Sequence, residues 1–332
     1  MTVRRSARKP MTAVPLIDLT PWYAGNADDR RLVATQVDAA LCEVGFLLLT
    51  GHPVTSQLTD RVRREARPFF DLPAAAKAEL ACLPGGRGWI PPGAEANAGS
   101  DGLDTPPDLK ESFTFGPEET PPAVVGTAEQ AWFGPNAWPA ELPGLRTAAG
   151  SFANCCSSVA EDLLRVFALA LDLPDDFFVA RCRGNTWSVN LNWYPAWEQV
   201  GSVAPGQFRI GQHTDFGTLT LLDRQPGAGG LQVRAADGEW VDAPFVPGAL
   251  TVNAGDLLAR WTGDRWRSTP HRVLPPPADV PTEELLSLVF FHEADPLTVV
   301  ETLPTAAAGP ERYQPVTAGQ FLRGRMDSIT VG

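Results

Sequence analysis

The chain has 332 residues, 44% of them hydrophobic, and its 27 basic and 39 acidic residues give a formal net charge of -12. That is ample for a large core in one domain or two. An acidic surface repels phosphate backbones and anionic lipid, so nucleic-acid and membrane partners are disfavoured, and no stretch approaches the ~20 apolar residues of a spanning helix.

The opening MTVRRSARKPM is basic with no apolar stretch behind it, so residues 1–12 are expected to form a disordered tail rather than a secretory signal, and a cytoplasmic location follows. VPLIDL (Val14–Leu19) predicts a short strand. Asp29–Val44 carries Leu32, Val33, Val37, Ala40 and Leu41 at helical spacing and stops at Gly45. FLLLT (Phe46–Thr50) predicts a buried strand, and Thr55–Phe70 a second amphipathic helix. The Gly-, Pro- and Asp-rich Gly85–Thr127 predicts loops, and Ala148–Leu171 a long helix.

From Thr186 onwards the pattern changes to short apolar or alternating runs bounded by turn residues. These are SVNLNWYP, QFRIGQHTD, TLTLLDR, LQVRAADGEWVDA, ALTVNAGD, HRVLPP and LLSLVFFHEA, with a hairpin signal at Asp237–Gly238. Thr317–Ile329 predicts a final helix. The expected fold is mainly β with α: a jelly-roll, or double-stranded β-helix, core flanked by N-terminal and C-terminal helices. We divide it into a mixed helical region over 13–150 and, over 151–332, a helix, the jelly-roll core and the C-terminal helix, packed as one unit.

The five cysteines, Cys42, Cys82, Cys155, Cys156 and Cys182, are odd in number and lack CxxC spacing, so they predict buried thiols rather than disulfides or zinc ligands. Of the four histidines, His213 stands apart because Asp215 lies two positions on. Residues i and i+2 of a strand share a face, so an imidazole and a carboxylate converge. His271 opens another strand-like run. Two histidines and a carboxylate on one face of a metal form the facial triad of non-haem Fe(II) chemistry, with positions left for cosubstrate and O2. An HxD pair also arises by chance, so the flanking residues carry weight. His52, in TGHP, reads as a turn residue. Trp89, Trp187, Trp193 and Trp261 are candidates to line a cavity, against a default role in the core. GAGG (Gly227–Gly230) lacks the lysine and strand–helix context of a phosphate loop and reads as a tight turn.

HTDFGTLTLL, GGLQV, VNAGD and STPHRVLPP follow in order, and VPLIDL, EVGFLLLTGHPV, FFDLP, DLKESFTFG and NAWPAELPGLR precede them. Together, over roughly Val14 to Leu322, these motifs resemble the 2-oxoglutarate/Fe(II)-dependent dioxygenase superfamily in its isopenicillin N synthase-like branch. The resemblance implies iron ligation by His213, Asp215 and His271. It also implies cosubstrate binding by Asn192 and Tyr194 of NWYP and by Ser287 of an Arg-x-Ser motif. The arginine of that motif is missing, since its position is Leu285. Leucine supplies neither the charge nor the bidentate fork that holds a carboxylate. Arg209, four residues before His213, is the candidate replacement, with Arg267 and Arg272 as alternatives and a structural ion pair as the competing role. Phe216 and His292 are candidates to touch substrate.

The implied reaction couples decarboxylation of 2-oxoglutarate to oxidation of an unactivated C–H bond of a small molecule, by hydroxylation, desaturation or cyclisation, in specialised metabolism. Two other readings stay open: an oxidase of the isopenicillin N synthase type that dispenses with 2-oxoglutarate, and a non-catalytic relative that keeps the metal site.

Overall fold

The computed structural model describes residues 14–83, 85–102, 105–200, 203–304 and 313–328. The expected tail over 1–12 and the end of the final helix, Ile329, lie outside them.

In the first half, β1 (Leu16–Asp18) precedes α1 (Thr20–Ala24) and α2 (Ala27–Glu43). Asn26 caps α2 by accepting from Asp28 and Asp29 backbone N–H groups, and Asp29 reaches back to complete a capping box. Gly45, at a φ of 77°, turns the chain out of α2 into β2 (Phe46–Thr50), in the left-handed region that favours glycine. α3 (Ser56–Phe70) is capped by Thr55, and α4 (Ala74–Ala78) follows.

The region expected to be loops, Gly85–Thr127, contains β3 (Gly88–Ile90) and β4 (Glu111–Phe115), both buried along their length. The Gly and Pro residues around them conceal two short strands that are stable only because β5 (Ser188–Tyr194) offers β4 an edge. The long helix α5 spans Pro143–Ala170, starting earlier than its apolar stripe suggests, and α6 (Phe177–Arg181) leads to β5.

The second half runs β6 (Ile210–His213), β7 (Leu219–Asp223), β8 (Leu231–Arg234), β9 (Trp240–Asp242), β10 (Leu250–Ala254), α7 (Asp256–Trp261), β11 (His271–Val273), β12 (Leu285–His292), β13 (Val299–Val300), β14 (Val316–Thr317) and α8 (Ala318–Met326). Eight strands form one sheet in the order β1-β2-β10-β7-β12-β5-β4-β3, and four form a second in the order β6-β11-β8-β9. The two sheets enclose the jelly roll.

Helices α2, α3 and α5 cover the outer face of the large sheet. Strand alternation decides what faces where. Leu47, Leu49, Val189, Leu191, Leu219, Leu221, Leu250, Val252, Leu286, Leu288 and Phe290 point to the helices and merge with the core. The residues between them, including Asn192, Tyr194, Thr220, Asn253 and Ser287, point between the sheets. β2 is apolar from Phe46 to Leu49 because both its faces are covered there: Phe46 and Leu48 pack into a second cluster on the inner side.

Candidate metal centre and its two cavities

His213 and His271 are Cα partners across β6 and β11, and their rings lie 4.2 Å apart between centroids. Asp215 lies two residues beyond the end of β6, in the loop to β7, so loop geometry rather than strand alternation brings it to them. Its Oδ1 is 3.8 Å from His213 Nε2 and 3.6 Å from His271 Nε2. The three ligand atoms lie within 4.8 Å of one another, a spacing one metal ion fits.

Each supporting contact orients one ligand atom. His213 Nδ1 lies 2.8 Å from the Gly211 carbonyl and His271 Nδ1 lies 3.1 Å from the Thr269 carbonyl. A carbonyl only accepts, so each Nδ1 carries a proton and each Nε2 is turned toward the centre of the triad. Asp215 Oδ2 accepts from Thr220 Oγ1 at 2.5 Å and from Asn253 Nδ2 at 2.7 Å, leaving Oδ1 to face the rings. Burial opposes ionisation of Asp215, yet the two imidazoles, Asn253 and Thr220 together hold its pKa below the ordinary carboxylate value. Burial, reinforced by the neighbouring His213, lowers that of His271 to about 4, so its ring stays neutral at physiological pH.

The loop is pinned from behind. Asp256 N–H donates to Asp215 O at 2.7 Å, and Gly255 N–H to Thr218 O at 3.1 Å. A Cβ on Gly255 would stand 2.3 Å from Gly217 O, so the glycines of HTDFG and VNAGD allow two backbones to touch.

Two cavities meet at the triad. The first is lined by Tyr194, Ser287, Leu285, Thr220, Leu222, Arg224 and Gln225, besides His213, Asp215 and His271. The second, on the other side, is lined by Glu95, Lys110, Asn190, Trp187, Phe216 and Glu293, with Leu322 and Met326 of α8 over it. Asn192, Ile210, His213, Asp215 and Phe291 border both.

The residues singled out from sequence are distributed as follows. Asn192 holds its place through Ser112, whose hydroxyl donates to Asn192 Oδ1 at 2.8 Å and accepts from Lys110 at 2.9 Å. Burial raises the pKa of the Tyr194 hydroxyl, which therefore stays a neutral phenol beside Asn192 and Ser287. Phe216 borders the second cavity with the Arg325 guanidinium 4.8 Å from its ring centre. Trp187 lines that cavity too, while Trp89, Trp193 and Trp261 belong to the core.

His292 lines neither cavity. It is buried at the end of β12, its Nδ1 2.8 Å from Thr218 Oγ1. The residue after it, Glu293, reaches the second cavity instead. Arg209 also departs from expectation. Between His213↔His271 and Ile210↔Val273, β6 spends three steps against two on β11. That bulge reverses the alternation, so Arg209 does not share the face of His213. Its guanidinium is buried, bonded to Glu283 Oε1 at 2.7 Å and to the Glu283 carbonyl at 3.0 Å. Arg272 bonds Gln232 and stacks on Trp240, and Arg267 donates to the Glu43 carbonyl.

Sequence reasoning missed Glu95, Lys110, Trp132, Arg224 and Glu293. Lys110 and Glu95 form a buried ion pair at the cavity wall. The five cysteines are free thiols, and none lines either cavity.

The sequence profile of the 2OG-Fe(II) oxygenase superfamily matches residues 179–294, and that described as "non-haem dioxygenase in morphine synthesis N-terminal" matches residues 14–141. The chain is 41% identical over 311 residues to validamycin A dioxygenase of Streptomyces hygroscopicus subsp. limoneus, covering 93% of this chain and 85% of that protein. It is 31% identical to a homoarginine-6-hydroxylase of Glycine max, over 95% and 96% of the two chains. The crystal structure of a full-length Neurospora crassa protein in complex with alpha-KG and thymine superposes with a TM-score of 0.82, at 29% identity over 95% of this chain and 96% of that one. The chain belongs to the 2OG-Fe(II) oxygenase superfamily. It is an Fe(II)/2-oxoglutarate-dependent dioxygenase, with O2 as the second cosubstrate.

Proposed function

We propose that His213, Asp215 and His271 hold the iron, that Asn192, Tyr194 and Ser287 border bound 2-oxoglutarate in the first cavity, and that the second cavity takes the substrate. The donor set supports the assignment: two imidazoles whose Nε2 atoms face Asp215 Oδ1, and one carboxylate held ionised, suit Fe(II). When bound, the iron supplies the activation of O2 and 2-oxoglutarate; the chain supplies orientation and a closed site. Thr220 and Asn253 fix the rotation of the Asp215 carboxylate. Phe216, with Leu322 and Met326 of α8, keeps water from the substrate side.

The substrate we infer is a polar small molecule bearing amino or hydroxyl groups, oxidised at a C–H bond in specialised metabolism by hydroxylation, desaturation or cyclisation. One observation carries this. Glu293 is buried at the wall of the second cavity, and among the described residues nothing donates a hydrogen bond to its carboxyl. Such a group is costly to bury without a partner, and Asn97, Thr114 and Asn190 add polar groups around it. The 41% identity to validamycin A dioxygenase supports a substrate of polar, natural-product type.

Membership of the isopenicillin N synthase-like branch is supported by the N-terminal motifs. A cytoplasmic location is supported by the free thiols, and no helix among the described residues is long and apolar enough to cross a membrane.

The test is succinate release under oxygen with a substrate panel that includes validamycin A. Turnover of amino- or hydroxyl-rich members, lost on Glu293→Ala, is the expected result. Turnover confined to apolar acids would overturn this reading of the substrate.

A further inference from the structure

We propose that Arg224 is the cation that binds the distal carboxylate of 2-oxoglutarate, in place of the arginine missing at Leu285. The inference rests on assigning the first cavity to 2-oxoglutarate.

Strand geometry places it. Thr220 and Leu222 of β7, and Arg224 one residue past its end, continue one alternation and all line that cavity, as do Leu285, Ser287, Val289 and Phe291 along β12. β7 and β12 pair with Asp223 opposite Leu288 and Leu222 opposite Val289. Continuing that register by one residue sets Arg224 opposite Ser287, and Leu286 N–H donating to Gln225 Oε1 at 2.7 Å holds the strands together there. Opposite residues on paired strands stand about 5 Å apart. A guanidinium from β7 therefore reaches the space beside Ser287 that one from position 285, two residues along β12, would fill.

The chemistry agrees with the place. Among the described residues, Arg224 is the one Arg or Lys lining this cavity. Its Nη2 donates to the backbone carbonyls of Ala243 and Pro244, and among those residues its Nε and Nη1 make no hydrogen bond. No carboxylate pairs with it there, although it is partly buried, so an anion is the partner it lacks. The other candidates are committed: Arg209 to Glu283, Arg272 to Gln232, and Arg267 to the Glu43 carbonyl. None of the three lines the cavity.

The experiment is anaerobic titration of the Fe(II)-loaded full chain with 2-oxoglutarate, read by the visible charge-transfer absorbance. 2-Oxovalerate, which keeps the keto acid but ends in a methyl, is titrated beside it. Arg224→Met is expected to weaken 2-oxoglutarate by about 100-fold, the scale of lost hydrogen bonds to a charged group, while 2-oxovalerate binds within about twofold of the unsubstituted protein. Adding Leu285→Arg to Arg224→Met is expected to recover most of the affinity. Arg224→Lys, which keeps the charge and loses the fork, covers the case in which methionine is not tolerated; it is expected to weaken 2-oxoglutarate by about 10-fold. Unchanged 2-oxoglutarate affinity in either single variant overturns the proposal. So does an equal loss for both ligands, which marks a structural role. In both outcomes the absorbance of the unsubstituted protein still upholds 2-oxoglutarate binding, whereas its absence there removes that reading and this one together.

Discussion

The Asp215 carboxylate divides its two oxygens between structure and chemistry: Oδ2 is held by Thr220 and Asn253, and Oδ1 faces the two Nε2 atoms. Asn253→Ala removes one of the two donors. We expect metal affinity to fall by about 10- to 100-fold, the usual cost of losing a group that orients a ligand, measured by anaerobic Fe(II) or Co(II) titration; affinity equal to that of the unsubstituted protein would show that Thr220 suffices. His271 and two neighbouring residues, His292 and Glu293, shape the pH response of the metal-free protein. Burial lowers the His292 pKa to about 4 and raises that of Glu293 to about 8. The unfolded chain binds more protons at His292 between pH ~4 and ~6.5, so stability rises with pH across that window. At Glu293 the folded chain binds more protons between pH ~4.5 and ~8, so stability falls there as pH rises. The His292 and Glu293 slopes cancel between pH ~4.5 and ~6.5, and His271, lowered to about 4 as well, adds a rise there, so urea midpoints should climb to pH ~6.5 and fall from there to ~8. Glu293→Gln, which mimics the protonated acid, should flatten the alkaline side; an unaltered slope would refute the assignment.

Among the elements, β6 shows how one extra residue redirects a side chain. Its bulge sends Arg209 away from the metal face to Glu283, whose carboxylate also accepts from the Ala228 and Gly229 N–H groups. The pair thus ties the start of β6 to the Gly227–Gly230 turn and to the segment before β12. Arg209→Ala leaves Glu283 without its cation, and we expect a loss of about 3 kcal/mol in denaturant unfolding, with 2-oxoglutarate affinity changed far less than by Arg224→Met. The reverse order of effects would return the cosubstrate role to Arg209.

Across the whole molecule, the site is closed by parts distant in sequence. α8 brings Leu322 and Met326 over the second cavity, and Arg325 clamps it by bonding Thr214 Oγ1 at 3.0 Å and Asp256 at 2.8 Å. Arg325→Ala should loosen this cover. The expected result is a substrate KM raised by about 10-fold, on the scale of one or two lost charge-assisted bonds, with the 2-oxoglutarate binding constant unchanged. Equal damage to both would show that the clamp supports the metal loop instead of the lid.

The sequence determined the strands of the jelly roll, the triad and the family, because each rests on local pattern: period-2 alternation, an HxD pair, and motifs in order. Arg224 was legible too, since it continues the alternation Thr220, Leu222, Arg224. It went unseen because the family's arginine sits on β12, and nothing local says that β7 lies beside β12. Tertiary structure decided the rest. β4 exists because β5 gives it an edge, and β3 because β4 does; at the end of β12 His292 turned away from both cavities and Glu293 into one; a bulge moved Arg209 off the metal face. Each outcome depends on which strand lies next to which, and the register of pairs as distant as Asp223 and Leu288 is a long-range property that no window of sequence contains.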